Sequence, residues 1–239
     1  KINAISCMAI MPGWPVDSEL LRDLPLSVAI GLHLTLTDER PLTAMPGLAP
    51  SDKLPGINAL HRAASRRRLI LGEIAAEISA QFSAFIAAIG RPPAFVDGHQ
   101  HAHALPDIRD LVLAETASRA PGAWVRNCTD RPLSILARPF RAKAIGSAFH
   151  SRGLRAAAAA YGLSCNDSFA GHYDFASDFS ALFPRFLKKP GSTHLVMCHP
   201  GAGCRPGDDI AYARSREAEA LRNCPIADMA SVEGLAFPA

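Results

Sequence analysis

Read for its apolar and polar positions, the chain alternates between two rhythms. Runs rich in apolar and β-branched residues, Ile5–Met11, Ser27–Thr37, Ala123–Asn127 and Thr193–Cys198, have the length and composition of buried strands. Between them, apolar residues recur every three or four positions. The clearest case is Leu69, Ile70, Ile74, Ile78, Phe82, Phe85, Ile86 and Ile89, closed by Gly90, Pro92 and Pro93. Further helices are predicted at Glu19–Asp23, from Pro106-Asp107 to Arg119, over much of Pro132–Tyr161, at Ser177–Lys188 and at Asp209–Asn223. Strands alternating with helices imply parallel pairing with helical crossovers, and in such folds chemistry collects where strands end.

The pattern breaks at informative places. The segment Phe95–Pro106, if extended, would project Asp97, His99, His101 and His103 from one face, because side chains alternate with period two. One carboxylate and three imidazoles in a row make a poor buried surface and a good wall for a metal or acid/base site. His33 interrupts the apolar run 27–37, where an imidazole is costly unless something satisfies it. Arg126 ends a third strand, and His199-Pro200-Gly201 follows a fourth. The stretch Asp38–Ser65, punctuated by Pro41, Pro46, Gly47, Pro50, Pro55 and Gly56, predicts a long irregular excursion of the kind that serves as a lid or substrate wall. Asn166–Phe175, with His172, Tyr173 and Asp174, predicts a polar loop suited to substrate contact.

Composition narrows the classes. At 239 residues, 49% hydrophobic and 20% charged, the chain fits one globular domain of barrel size. A net charge of +3 with scattered basic residues gives no nucleic-acid footprint, and the run Arg66-Arg67-Arg68 suits a solvated helix entrance. No window is expected to reach the roughly 18 to 20 apolar residues of a membrane span, so the expected location is the cytoplasm. Six dispersed cysteines, Cys7, Cys128, Cys165, Cys198, Cys204 and Cys224, lack a Cys-x-x-Cys pair and are expected to be reduced and mostly buried.

Taken in order, Gly31-Leu-His-Leu-Thr-Leu-Thr37, Pro41–Leu48, Val96-Asp-Gly-His-Gln-His-Ala-His103, Val125-Arg126 and Met197-Cys-His-Pro-Gly201 resemble the YdjC-like carbohydrate deacetylases of the ChbG/HpnK family. The resemblance implies a distorted (β/α) barrel of the NodB-like type, one domain over 1–239, and hydrolysis of N-acetyl groups on amino sugars with a divalent metal, Mg²⁺ or Zn²⁺. It makes His33 and His99 the imidazole ligands and lines the pocket with His101 and His103. It places Arg126 at the rim and gives His199 the proton donation. The family's opening Ala-Asp-Asp-Phe-Gly strand has no counterpart before Ile5, so the first βα unit, about 30 residues, is expected to be missing.

Amide hydrolysis needs an activated water, a home for the oxyanion and a proton for the departing amine. Asp97 suits the orientation of a ligand imidazole, or a stand-in for the missing carboxylate. Two imidazoles without a carboxylate favour Zn²⁺ over Mg²⁺. Two alternatives stand beside the deacetylase: a metal hydrolase of amidohydrolase type, and a carbohydrate- or metal-binding relic. The expected partner is an acetylated amino sugar, and the apolar helices admit a homodimer.

Overall fold

The computed structural model describes residues 2–202 and 207–224. Seven strands and nine helices occur among them. In chain order these are β1 (Ala4–Cys7), α1 (Trp14–Asp17), β2 (Ala29–Leu34), α2 (Ile57–Ser65), α3 (Leu71–Ile89), β3 (Phe95–Gly98), α4 (Ile108–Arg119) and β4 (Trp124–Val125). There follow α5 (Pro132–Ala137), α6 (Arg141–His150), α7 (Leu154–Ala160), β5 (Ser164–Cys165), β6 (Ser168–Ala170), α8 (Phe179–Phe186), β7 (His194–Val196) and α9 (Ala211–Asn223). The described residues form two compact units: Ile2–Arg126 with His150–Cys165, and Asn127–Phe149 with the described residues from Asn166 onward.

The first unit carries a five-stranded sheet in the order β1-β2-β3-β4-β5, every pairing parallel. This bears out the α/β alternation. The sheet does not close on itself, because β1 and β5 are its edges, so the barrel expected from the sequence is not formed by this sheet. Its core joins Leu32, Leu34 and Val96 of the strands to Ile74, Ile78, Phe82 and Phe85 of α3, all essentially without exposed surface. Helix α3 ends where Gly90 takes the left-handed conformation, as the sequence predicts.

Contrary to the expectation that no segment has the length and apolarity of a membrane span, α3 has both. It also buries Glu77 and Gln81, and both are spent on the chain around them. Glu77 accepts hydrogen bonds from the Leu42 and Thr43 amides and the Thr43 hydroxyl, while Gln81 pairs with both backbone groups of Thr35. Glu73 holds the Gly47 and Leu48 amides in the same way. The proline-rich excursion is thus pinned to α3, and it is not irregular throughout, since α2 occupies its last nine residues.

Other boundaries move for local reasons. β1 stops at Cys7, and the expected helix at 19–23 is replaced by α1, with Pro15 in its first turn, and a 3₁₀ turn over Ser18–Leu21. In the second unit β6 and β7 pair in parallel, so part of the supposed polar loop 166–175 is a strand. Phe179, Phe186, Tyr173 and Leu221 centre that unit's core. The cysteines among the described residues are free, but only Cys7 and Cys128 are fully buried; Cys204 lies outside the described residues.

Candidate functional site

Strand register brings the first pair of site residues together. His33 of β2 lies directly opposite Asp97 of β3, and Ser6 of β1 is opposite Gly31, two residues before His33. Period two then puts Ser6, His33 and Asp97 on one face. Phe95, two residues before Asp97, covers Gly31 so closely that a Cβ there would fall 2.5 Å from its ring. Glycine at 31 is the condition for Phe95 to lie flat across β2 and to stack on Trp124, with ring centroids 4.4 Å apart.

Asp97 is the hub. Its Oδ1 lies 2.7 Å from His33 Nδ1 and accepts from the Ser6 hydroxyl at 2.5 Å, while its Oδ2 accepts from Arg126 Nη1. Burial alone would push this carboxyl pKa up, but the Arg126 guanidinium, His33 and Ser6 outweigh it and hold the group well below the ordinary carboxylate range. An ionised carboxylate only accepts, so His33 Nδ1 carries a proton toward it, and in the neutral ring the lone pair sits on Nε2. The His33 side chain keeps 19% of its surface.

The strand ends sooner than the row of histidines requires. After Gly98 the chain turns into a 3₁₀ segment, His99–Ala104, in which Gln100 (φ 51°) and His101 (φ 63°) take left-handed backbone. The expectation of four side chains on one extended face is therefore wrong: only Asp97 belongs to the strand. The turn nevertheless carries His99 to His33, ring centroids 5.6 Å apart and edge to face. His101 is brought to Arg126, Nδ1 lying 3.1 Å from Nη2. His103 folds back beneath the strand, where a Cβ at Gly98 would fall 2.7 Å from its Nδ1.

His103 has no exposed surface, and its Nε2 lies 2.8 Å from the Arg126 carbonyl, as a donated hydrogen bond requires. Burial, then the charge of Arg126, lowers its pKa to about 3, so the ring is neutral. With no surface to offer a bound molecule, His103 supports Arg126 from behind. Arg126, expected at a rim, is 3% exposed and also donates to the Gly98 carbonyl at 2.5 Å. It is a buried brace between β3 and β4.

In the second unit His199 follows β7, and its amide donates to Glu217 of α9. Its Nδ1 lies 3.7 Å from Glu217 Oε1, an ion-pair distance rather than a hydrogen bond, and its ring packs on Phe175 with centroids 5.2 Å apart. Tyr173 donates its hydroxyl to the same fully buried carboxylate. Asp174 accepts from the Ala176 and Ser177 amides and shapes its own turn. Ser6 and Glu217 are not among the residues the sequence singles out. Ser6 had a signal, a hydroxyl inside an apolar strand; Glu217 looks like any acid on an amphipathic helix.

The arrangement fits two nitrogen donors for a metal: Asp97 holds His33 through Nδ1 and leaves Nε2 for a ligand bond, and His99 stands beside it. Among the described residues no third His, Cys, Asp or Glu completes a ligand group.

The family profile described as YdjC-like protein matches residues 1–230. The chain belongs to the YdjC-like family. Chitooligosaccharide deacetylases of Yersinia pestis (strain Pestoides F) and Yersinia pseudotuberculosis serotype O:1b (strain IP 31758) are each 43% identical to it over 97 residues. Those residues are 41% of this chain and only 38% of each relative. A crystal structure from Enterococcus faecalis V583, of a protein provisionally described as a cellobiose-phosphate cleavage protein, shares the fold with a TM-score of 0.68. It is 18% identical, and the match covers 99% of this chain and 85% of the other.

Proposed function

We propose that this YdjC-like chain belongs to a carbohydrate N-deacetylase acting on an acetylated amino sugar, with a divalent metal held by His33 and His99. The observation that carries the reading is the Arg126–Asp97–His33 chain, buried at Arg126 and Asp97 and part-exposed at His33, with His99 beside it. An imidazole whose inner nitrogen is bonded to a buried carboxylate is how proteins present a metal ligand in a fixed tautomer. The names of the Yersinia relatives supply the substrate class. The sequential, all-parallel strand order is also that of a (β/α) barrel wall, the architecture this reading assigns to the family.

A divalent ion there supplies Lewis acidity, lowering the pKa of water and polarising an acetamide carbonyl. The chain's own groups do the rest. Asp97 keeps the His33 lone pair on Nε2, and Arg126 keeps Asp97 ionised. His101 stands beside the guanidinium as a candidate contact for a bound sugar. Water adds to the carbonyl carbon, the C–N bond breaks, acetate leaves, and the sugar nitrogen takes up a proton. The family resemblance gives that proton to His199, whose Nδ1 side faces the Glu217 carboxylate.

Two measurements test the reading together. Calorimetric titration with Zn²⁺ and Mg²⁺ should show binding in the native chain and none in His33→Ala; tight binding by that variant overturns the ligand assignment. Acetate release from N-acetylglucosamine oligomers, assayed with each metal, should follow metal occupancy. Bound metal with no release from any acetylated sugar would favour a binding relic instead.

A further inference from the structure

Glu217 lies midway along α9 and has no exposed surface. A carboxylate so placed is costly unless donors are brought to it. Two segments of the second unit bring them: the Tyr173 hydroxyl donates to Oε1 and the His199 amide to Oε2. Burial, then the bond to Glu217, raises the Tyr173 pKa, so this hydroxyl keeps its proton and remains a donor. Arg214, three residues earlier on the same face of α9, grips the segment after β7 as well. Its carbonyl accepts from the Gly201 amide at 3.1 Å, and its guanidinium donates to the His199 carbonyl at 3.5 Å. The backbone of His199 is thus tied to α9 through both its amide and its carbonyl.

The His199 ring is held by the same carboxylate. Its Nδ1 is buried, makes no hydrogen bond among the described residues, and lies 3.7 Å from Glu217 Oε1. The side chain keeps 26% of its surface, and with Nδ1 enclosed the accessible edge of the ring is the one that carries Nε2. Phe175 stands edge to face against the imidazole and limits its rotation. A lone pair aimed at a carboxylate is repelled and an N–H is attracted, so in the neutral ring Nδ1 is the nitrogen that keeps its proton.

We infer that Glu217 is a positioning residue for His199, holding Nδ1–H inward so that Nε2 is the nitrogen that hands a proton to the departing amine. As the C–N bond breaks, the sugar nitrogen takes the Nε2 proton of the doubly protonated ring. The ring keeps its Nδ1–H toward Glu217 and regains the other proton from water. The amine in this step rests on the deacetylase reading; the placement of the ring does not, and the two are tested separately.

Long-range ¹H–¹⁵N spectra of the full chain, with the His199 signals identified by their loss in His199→Ala, should show the neutral His199 ring protonated at Nδ1. An Nε2–H tautomer in the native chain overturns the assignment without any variant. Glu217→Gln, which keeps the shape of the side chain, should release the preference and give both tautomers; an unchanged tautomer in that variant also overturns it. In acetate release from N-acetylglucosamine oligomers, Glu217→Gln should lower kcat about tenfold or more with KM nearly unchanged, because a positioned proton donor contributes about 10²- to 10⁴-fold. Added to His199→Ala it should cost nothing further, since both act through one ring. A further loss in the double variant, or a loss confined to KM, overturns the positioning role. The expected tautomers in native chain and variant, with no acetate release by the native chain, would uphold the placement of His199 while the deacetylase reading fails.

Discussion

At the scale of single residues, Asp97 carries the most consequence, because three neighbours depend on its charge. Asp97→Asn keeps the shape and removes the charge, leaving the Arg126 guanidinium buried without its counter-ion. Breaking one side of a buried pair typically costs about 3–5 kcal/mol, which urea unfolding would read as a lower midpoint. The same change frees the His33 tautomer, and loss of such a partner typically lowers metal affinity about 10- to 100-fold. A variant with native metal affinity would show that Asp97 serves the fold alone. Gly31 gives a second case. A methyl group there would press into the Phe95 ring, and overpacking of this kind costs about 1–3 kcal/mol. Gly31→Ala should therefore unfold at lower urea, and the double variant with Phe95→Leu should recover most of the loss; no recovery would mean that Phe95 is not what the glycine accommodates.

At the scale of elements, α3 does more than cover the sheet. Its Glu77 side chain, fully buried, terminates four hydrogen bonds, three of them from Leu42 and Thr43 in the excursion. Glu77→Ala removes the carboxylate that these part-buried donors share, and a hydrogen bond to a charged group is worth about 1.5–3 kcal/mol. Limited proteolysis and amide exchange should then find residues 38–56 opening before the sheet does; uniform opening would show the excursion to be held by other means. These polar contacts also explain what the sequence could and could not disclose. The apolar period of α3 was legible, as was His33 standing inside an apolar strand. The row of histidines was legible as chemistry but not as geometry. Gln100 and His101 adopt left-handed backbone, which is uncommon for residues other than glycine, and the turn after Gly98 lets His103 pack against that glycine, a contact the sequence does not display. The burial of Arg126 was hidden for the same reason: it depends on Asp97, 29 positions away, whose charge makes an enclosed guanidinium tolerable.

At the scale of the whole chain, several buried titratable groups set a window of stability. His194, 8% exposed, lies between the Ser168 hydroxyl and the Phe186 carbonyl, and burial, then the charge of Arg138, lowers its pKa from 6.5 to about 4. His103 is lowered further, to about 3. The unfolded chain takes up these protons near pH 6.5 and the folded chain does not, so stability is full above 6.5 and is lost as pH falls toward 4. The gap at His194 corresponds to roughly 3 kcal/mol at most. The alkaline side has the opposite sign. Cys7 and Cys198 are raised by burial, then by Asp97 and Glu217 respectively, from 9.0 to about 12, and Tyr173 is raised as well. The unfolded chain releases those protons first, so stability present below pH 9 declines as pH climbs toward 12. Thermal melts across pH should therefore show a plateau from about 6.5 to 9 with a fall on either side. His194→Gln should shallow the acid fall and leave the alkaline one, and Cys198→Ala should do the reverse. A native profile that keeps rising below pH 6 would mean that these rings become charged inside the folded protein. The burial and neutral hydrogen bonding described for them would then be wrong.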